Sequence, residues 1–133
     1  MQPMPPNVDT AFQAFPPGVR HRLGDIRAMI LGVASGDARI GAITETLKWG
    51  EPAYLTEATG SGSTIRLGWP RNSPDRAAIY FICRTNLVDT FRERFGGIFE
   101  YEANRAVLLP VTGDIDRAPL EILLSMALTY HLR

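Results

Sequence analysis

The 133-residue chain has one cysteine and two histidines, and these scarcities exclude whole classes of protein. With Cys83 alone, no intrachain disulfide can form, so the chain lacks the framework of a disulfide-stabilised secreted domain. The spacing of Cys83, His21 and His131 matches no zinc-binding pattern. The sequence therefore predicts a protein of a reducing compartment, with the cytoplasm as the simplest setting.

Net charge and long apolar runs are also lacking. Fourteen cationic and fourteen anionic side chains cancel, whereas a general nucleic-acid binder is normally basic, so nucleic acid is a disfavoured partner. No apolar stretch approaches the roughly 20 residues that a membrane span needs. Residues 1–6 have neither the basic region nor the apolar core of a signal peptide. We therefore expect no membrane association.

Signatures of catalysis are missing too. The chain has no glycine-rich phosphate loop, no nucleophile elbow and no acid pair with a recognisable spacing. Neither Cys83 nor a histidine has an evident base or orienting partner nearby in the sequence. We assign no catalytic residue and no evident cofactor. Enzymatic activity stays open, but the residues favour a binding role.

What is present is the pattern of one mixed domain. Residues 1–15 are predicted to form a tail with a short helical turn, and residues 16–133 a single domain. A helix is predicted from Pro17 to about residue 35, because apolar side chains recur there at spacings of three and four. The same spacing at Ile40, Ile43 and Leu47 predicts a second helix over residues 38–48.

The middle and end of the chain show strand patterns and two more helices. Trp69 is expected to point to the core and Cys83 to be buried at the end of a central strand. The predicted strands cover residues 52–56, 64–69, 77–83, 98–102 and 105–109, with helices beginning after Asn86 and Asp116. The order ααβββαββα predicts an α+β fold with an antiparallel sheet of about five strands and helices on one face.

The densest cluster of distinctive residues surrounds Lys48, the only lysine in the chain. One interpretation is a pocket for a small anionic or aromatic ligand, lined by Lys48, Trp49, Tyr54 and an arginine from the sheet. The alternative is structural, with Lys48 at a helix end and Trp49 in the core.

Two arginines are candidates for the sheet contribution. Arg105 can hold a carboxylate or phosphate with two hydrogen bonds, and Glu102 is its expected partner or that of Lys48. The structural alternative is that Arg105 only pairs with a carboxylate of its own fold. Arg66 is expected on an open sheet surface with Tyr80 and Arg84, where arginine and aromatic side chains can stack on bases. The favoured alternative is an ordinary solvated face, because the chain has no net charge and no RNA-recognition motif.

Several ordered blocks resemble the YdhG-like family of small bacterial domains. The blocks are Glu45–Gly50 with Pro52 and Tyr54, Ser63–Trp69, Tyr101-Glu102 with Asn104–Ala106, and Ala127–His131. The resemblance covers about residues 17–131 and implies a compact α+β fold similar to frataxins. It also implies iron as a candidate ligand, since some relatives are regarded as intracellular iron chaperones. Carboxylates such as Asp25, Glu45 and Glu51 would then be the hard oxygen ligands.

The sequence thus predicts a cytoplasmic, noncatalytic binding module for a small anionic ligand or a protein partner. The predicted site residues are Lys48, Trp49, Tyr54, Arg66, Glu102 and Arg105. The alternative is a frataxin-like iron carrier, for which no metal ligand set is assigned. The oligomeric state is left open.

Overall fold

A computed structural model describes residues 2–132 and confirms the α+β class. The helices are α1 (Pro6–Gln13), α2 (Pro17–Ser35), α3 (Leu87–Phe95) and α4 (Arg117–Leu128), with 3-10 turns at Gly96–Ile98 and Tyr130–Leu132. The strands are β1 (Thr44–Lys48), β2 (Glu51–Leu55), β3 (Ile65–Gly68), β4 (Arg76–Phe81), β5 (Glu100–Glu102) and β6 (Ala106–Pro110). None of the helices in this part of the chain has the length and apolarity that a membrane crossing requires.

The strands form one open antiparallel sheet in the order β1-β2-β3-β4-β6-β5. Alternate strand residues point to opposite faces, and only one face is covered by helices. Ile65, Ile79 and Val107 represent that covered face, and they share one apolar cluster with residues of all four α-helices. On the other, open face, Ala78, Tyr80, Ala106 and Leu108 form a separate small cluster.

The predicted helix over residues 38–48 is wrong, because its second half is the edge strand β1. Thr44 to Lys48 pair antiparallel with Leu55 to Glu51. The apolar spacing was ambiguous, since Ile43 and Leu47 also lie on one side of a strand when Glu45 between them points inward. The sheet therefore has six strands rather than five, and the order becomes ααββββαββα.

Four side chains lie in environments that the sequence did not predict. Trp69 is 42% exposed instead of in the core, and its indole Nε1 donates to the Pro74 carbonyl oxygen at 2.8 Å. Cys83 is exposed because β4 ends at Phe81 and Cys83 lies in the turn that follows. In α1, Val8 and Phe12 are buried in the main cluster, so the segment before residue 16 contributes to the core.

Candidate functional site

The open face carries a row of side chains that cross neighbouring strands side by side. Arg66 on β3 is the register partner of Tyr80 on β4, and Tyr80 is the partner of Ala106 on β6. The guanidinium carbon of Arg66 lies 5.3 Å from the centre of the Tyr80 ring. The guanidinium of Arg105, just before β6, lies at the same distance of 5.3 Å from that ring. The Tyr80 ring therefore contacts one guanidinium from β3 and one from the residue before β6, and Tyr80 is only 6% exposed.

Each of these arginines also has a carboxylate partner. Arg66 Nη1 lies 2.5 Å from Glu51 Oε1, and both side chains are a little over one quarter exposed. Arg105 donates to Glu102 Oε1 through Nε at 3.2 Å and Nη2 at 2.9 Å. Both arginines of this row are therefore paired with carboxylates of the same chain.

Burial raises the pKa of two acidic side chains on the open face, Glu51 and Tyr80. The pKa of Glu51 is raised because desolvation disfavours its ionised form, although Arg66 and then Arg105 oppose the shift. The pKa of Tyr80 is raised by desolvation first, and by the negative charges of Glu51 and Glu102 second. The Glu51 carboxylate is thus held in contact with Arg66 in a place that disfavours its charge.

Small residues beneath the row explain why long side chains lie flat on the sheet. Ala53, Ala78 and Ala106 are fully buried. At Gly68 an added Cβ would overlap Glu51 Oε2 and the edge of the Tyr80 ring. Only glycine therefore leaves room for Glu51 and Tyr80 as they are placed.

A tight turn places Trp49 beside this face. Lys48 and Glu51 are register partners, so Trp49 and Gly50 alone make the hairpin turn between β1 and β2. Both have positive φ, 58° and 76°, as a two-residue type I′ turn requires. Asparagine or aspartate normally fills the first position of such a turn, and a bulky residue there carries strain on the order of 1–3 kcal/mol.

Together these elements line a cleft of about 520 Å³ on the open face, hereafter the open-face cleft. Its lining includes four cationic side chains and several apolar ones. The cationic residues are Lys48, Arg66, Arg84 and Arg105, and the apolar residues include Trp49, Leu55, Phe81 and Ile82. The volume falls within the range of about 300–1,000 Å³ that is usual for small-molecule sites.

The charge of the open-face cleft is positive although the chain as a whole is neutral. Four cationic side chains line it, and two of them, Arg66 and Arg105, are paired with a carboxylate. Within residues 2–132, neither Lys48 nor Arg84 lies within 4.0 Å of a carboxylate oxygen in any ion pair. A local excess of two positive charges in a concave site attracts anions.

Four of the six predicted site residues thus line one cleft. They are Lys48, Trp49, Arg66 and Arg105. Glu102 is beside them through its ion pair with Arg105. Tyr54, the sixth, does not line this cleft, because it alternates to the covered face and is 0% exposed.

Tyr54 instead belongs to a buried polar group under the helices. Its hydroxyl donates to Glu45 Oε2 at 2.8 Å. Arg27 of α2 donates to the same carboxylate through Nε at 2.6 Å and Nη2 at 2.9 Å. Glu45 raises the pKa of Arg27 through this hydrogen bond, and burial raises the pKa of Tyr54 far above its ordinary value. The segment at residues 45–54, on which the resemblance to YdhG-like domains partly rests, therefore divides between the two faces of the sheet.

Iron binding would need carboxylates that converge on one point, and those considered do not. Glu45 is buried against Arg27, Glu51 is on the open face, and Asp25 on α2 lies 3.8 Å from Arg22. In the described part of the chain, no three histidine, cysteine, aspartate or glutamate side chains group as a metal site would. The residues do not fit an iron site, and iron binding stays a prediction of the resemblance alone.

The predicted site set lacked several residues that line the cleft. Leu55, Phe81 and Ile82 add apolar surface, and Thr64, Cys83 and Arg84 complete the lining. A signal for Leu55 and Ile82 was available in the strand period, since each lies two positions beyond an open-face residue, Ala53 or Tyr80. Arg84 was expected near Arg66 but was not placed in the predicted site set.

Comparison with known proteins adds no family to this geometry. A scan against protein-family models, a search of curated proteins and a search of solved structures each return no match. The resemblance to YdhG-like domains stays a prediction, and the open-face cleft is the basis on which a function is proposed.

Proposed function

We propose that the protein is a noncatalytic binding module that holds a small anionic ligand in the open-face cleft. The observation that carries the proposal is the convergence of Lys48, Arg66, Arg84 and Arg105 on one concave surface of a chain with no net charge. Cations that gather in this way repel one another, so an arrangement that concentrates them is favoured when an anion is bound.

The pairing within the cleft supports an anion that competes with internal carboxylates. Arg105 holds Glu102 through two nitrogen donors, and its planar guanidinium can hold a ligand carboxylate or phosphate in the same way. Its side chain is 52% exposed, so exchange of partners needs little rearrangement. Lys48 and Arg84 supply charge that no described carboxylate neutralises within 4.0 Å. The ligand would thus gain two new cationic contacts while it replaces one internal contact.

Isothermal titration calorimetry with a set of simple anions tests this proposal. Acetate, inorganic phosphate and benzenesulfonate are suitable, because they differ in charge and in the size of the attached group. We expect binding at a single site that weakens with salt, since exposed charges are screened within about 10 Å at 0.1 M ionic strength. Arg105→Ala should weaken binding about tenfold, as expected when a charge-assisted contact is lost.

The chain offers a matched control for that variant. Arg39 is also an exposed arginine, 66% accessible, and it pairs with a carboxylate close in sequence, Asp37, at 2.7 Å. It lies outside the open-face cleft, so Arg39→Ala should bind anions like the parent protein. If no anion binds, or if the Arg39 and Arg105 variants weaken binding equally, the proposed function fails.

A further inference from the structure

Trp49 is a large aromatic residue at a position where neither the turn nor a core contact calls for one. It is 90% exposed, the most exposed of the large hydrophobic side chains in the described chain. Its backbone φ of 58° is a conformation that bulky residues rarely adopt. A residue that fits neither its turn nor a core position is expected at a functional site. Trp49 also lines the open-face cleft, which gives its exposed ring a place in that site.

We infer that the anion bound in the open-face cleft is an aryl anion, an aromatic ring that carries a carboxylate, phosphate or sulfonate group. This inference rests on the proposed function, because it names the class of ligand for the same site. The acidic group lies against the cations of the cleft, and the ring stacks on Trp49. Leu55 and Ile82, both half-buried, add apolar surface elsewhere in the same cleft.

An exposed aromatic ring beside the cations of the cleft favours this class over an inorganic anion. A phosphate or sulfate ion would contact the cationic side chains and leave the Trp49 ring in water. An aryl anion would contact both. Aromatic rings gain from offset or edge-to-face stacking beyond the area that they bury, so an aryl anion should also bind better than a saturated ring of the same charge.

Three sulfonates of equal charge separate these contributions. Methanesulfonate tests the anion alone, cyclohexanesulfonate adds a saturated ring, and benzenesulfonate adds a planar ring. We expect the Kd of benzenesulfonate to be about fivefold lower than that of cyclohexanesulfonate, a difference of about 1 kcal/mol. Trp49→Leu should remove this preference and Trp49→Phe should keep most of it, and both variants should alter the Kd of methanesulfonate less than that of benzenesulfonate.

Fluorescence supplies a direct readout of the stacking contact. The chain has two tryptophans, so Trp69→Phe leaves Trp49 as the one emitter. Because Trp49 is 90% exposed in the free protein, a stacked ring should quench its emission and shift it to shorter wavelength. Methanesulfonate, which does not reach the ring, should leave the spectrum unchanged.

The outcomes distinguish the inference from the function on which it rests. A preference for benzenesulfonate that disappears in Trp49→Leu and persists in Trp49→Phe supports the inference. Equal binding of all three sulfonates, or a preference that Trp49→Leu keeps, overturns the aryl class and leaves anion binding intact. If none of the three binds, both the proposed function and the inference are overturned.

Discussion

The two faces of the sheet each hold an arginine–carboxylate pair beside a tyrosine, but in opposite surroundings. On the covered face, Arg27 and Tyr54 both donate to Glu45, whose side chain is 1% exposed. On the open face, Arg66 pairs with Glu51 while both remain over one quarter exposed, and Tyr80 lies under the guanidinium group. The same residue types therefore form a closed polar group on one face and an accessible one on the other.

The two pairs differ in how fully their charges and hydrogen-bonding groups are satisfied by the protein itself. The Glu45 carboxylate accepts three hydrogen bonds from described side chains, two from Arg27 and one from Tyr54. A buried ion pair satisfied in this way fixes the position of elements, here α2 against β1 and β2. The open-face pair lies in a cleft with two further cations, Lys48 and Arg84. The buried pair is therefore satisfied within the fold, whereas the open-face pair stays accessible to solvent beside two cations that have no carboxylate partner within 4.0 Å in the described chain.

The largest loss of stability is expected when the buried ion pair between Arg27 and Glu45 is broken. Arg27→Met leaves the Glu45 carboxylate under the helices without its cation, and such uncompensated buried charges cost about 3–5 kcal/mol. The free energy of unfolding, measured by urea denaturation, should fall by that amount.

A triple variant tests whether the loss comes from the uncompensated charge. In Arg27→Met/Glu45→Leu/Tyr54→Phe, all three polar partners become apolar, so no buried group is left unsatisfied. We expect most of the stability of the parent protein to return. A triple variant as unstable as Arg27→Met would show that packing at Arg27, rather than its charge, is what matters.

Substitution of two glycines should also destabilise the covered side of the fold more than the open face. Gly62 packs against the end of α4, and Gly68 lies on the open face. The loop at Ser61–Ser63 contacts the end of α4, where Ser61 Oγ donates to the Leu128 carbonyl oxygen at 2.8 Å. A Cβ at Gly62 would overlap backbone atoms of Leu128, whereas a Cβ at Gly68 would overlap side-chain atoms of Glu51 and Tyr80.

Because backbone atoms cannot turn aside, Gly62→Ala should destabilise by about 3 kcal/mol and Gly68→Ala by about 1 kcal/mol, within the usual range for overpacking. Urea denaturation of the two variants measures both values. Gly68→Ala should also displace Glu51 from Arg66, so it should change anion binding while Gly62→Ala does not. The reverse order of destabilisation would mean that the open face is packed as rigidly as the covered one.

How far the sequence predicted this molecule depends on where the charged residues lie. Apolar periodicity located α2, α3 and α4 and most of the strands, because those elements bury ordinary hydrophobic side chains. It failed at β1, where the inward position between Ile43 and Leu47 is Glu45. The period of two was hidden by a charged residue whose burial depends on Arg27, 18 residues away. No local pattern contains that information.

The sequence predicted four residues of the candidate site but misplaced Tyr54, and the cause again lies in β1. Lys48, Trp49, Arg66 and Arg105 attracted attention by residue type, and the sheet brings them to one cleft. Tyr54 was grouped with them because it is close in sequence to Trp49. Once residues 44–48 are recognised as a strand, the hairpin register assigns Tyr54 to the side of Glu45, its partner on β1. The error in the site therefore followed from the error in the fold.

Removal of Arg66 from the open face should lower the free energy of unfolding much less than removal of Arg27 from the covered face. Arg66→Ala loses a partly exposed ion pair and one contact with Tyr80, which together contribute about 1 kcal/mol or less. The same denaturation measurement checks this value. Anion affinity should fall about tenfold in this variant, so function and stability separate. A stability loss close to that of Arg27→Met would remove the distinction between the two faces.

The smallest expected effect is the pH dependence of the free energy of unfolding that the titration of Glu51 causes. Its pKa is raised above the ordinary value of 4.5, chiefly by desolvation. A carboxyl group with a higher pKa in the folded state binds its proton more tightly when folded, so its contribution to stability increases as pH falls through the window above 4.5. Other acidic groups respond to acid as well, and Glu51→Gln isolates this one. The free energy of unfolding of the parent protein minus that of Glu51→Gln should therefore increase, by less than about 1 kcal/mol, as pH is lowered from 7 toward 4.5. A difference that decreases on acidification would mean that the pairing with Arg66 outweighs desolvation, and the open-face pair would then resemble the buried one.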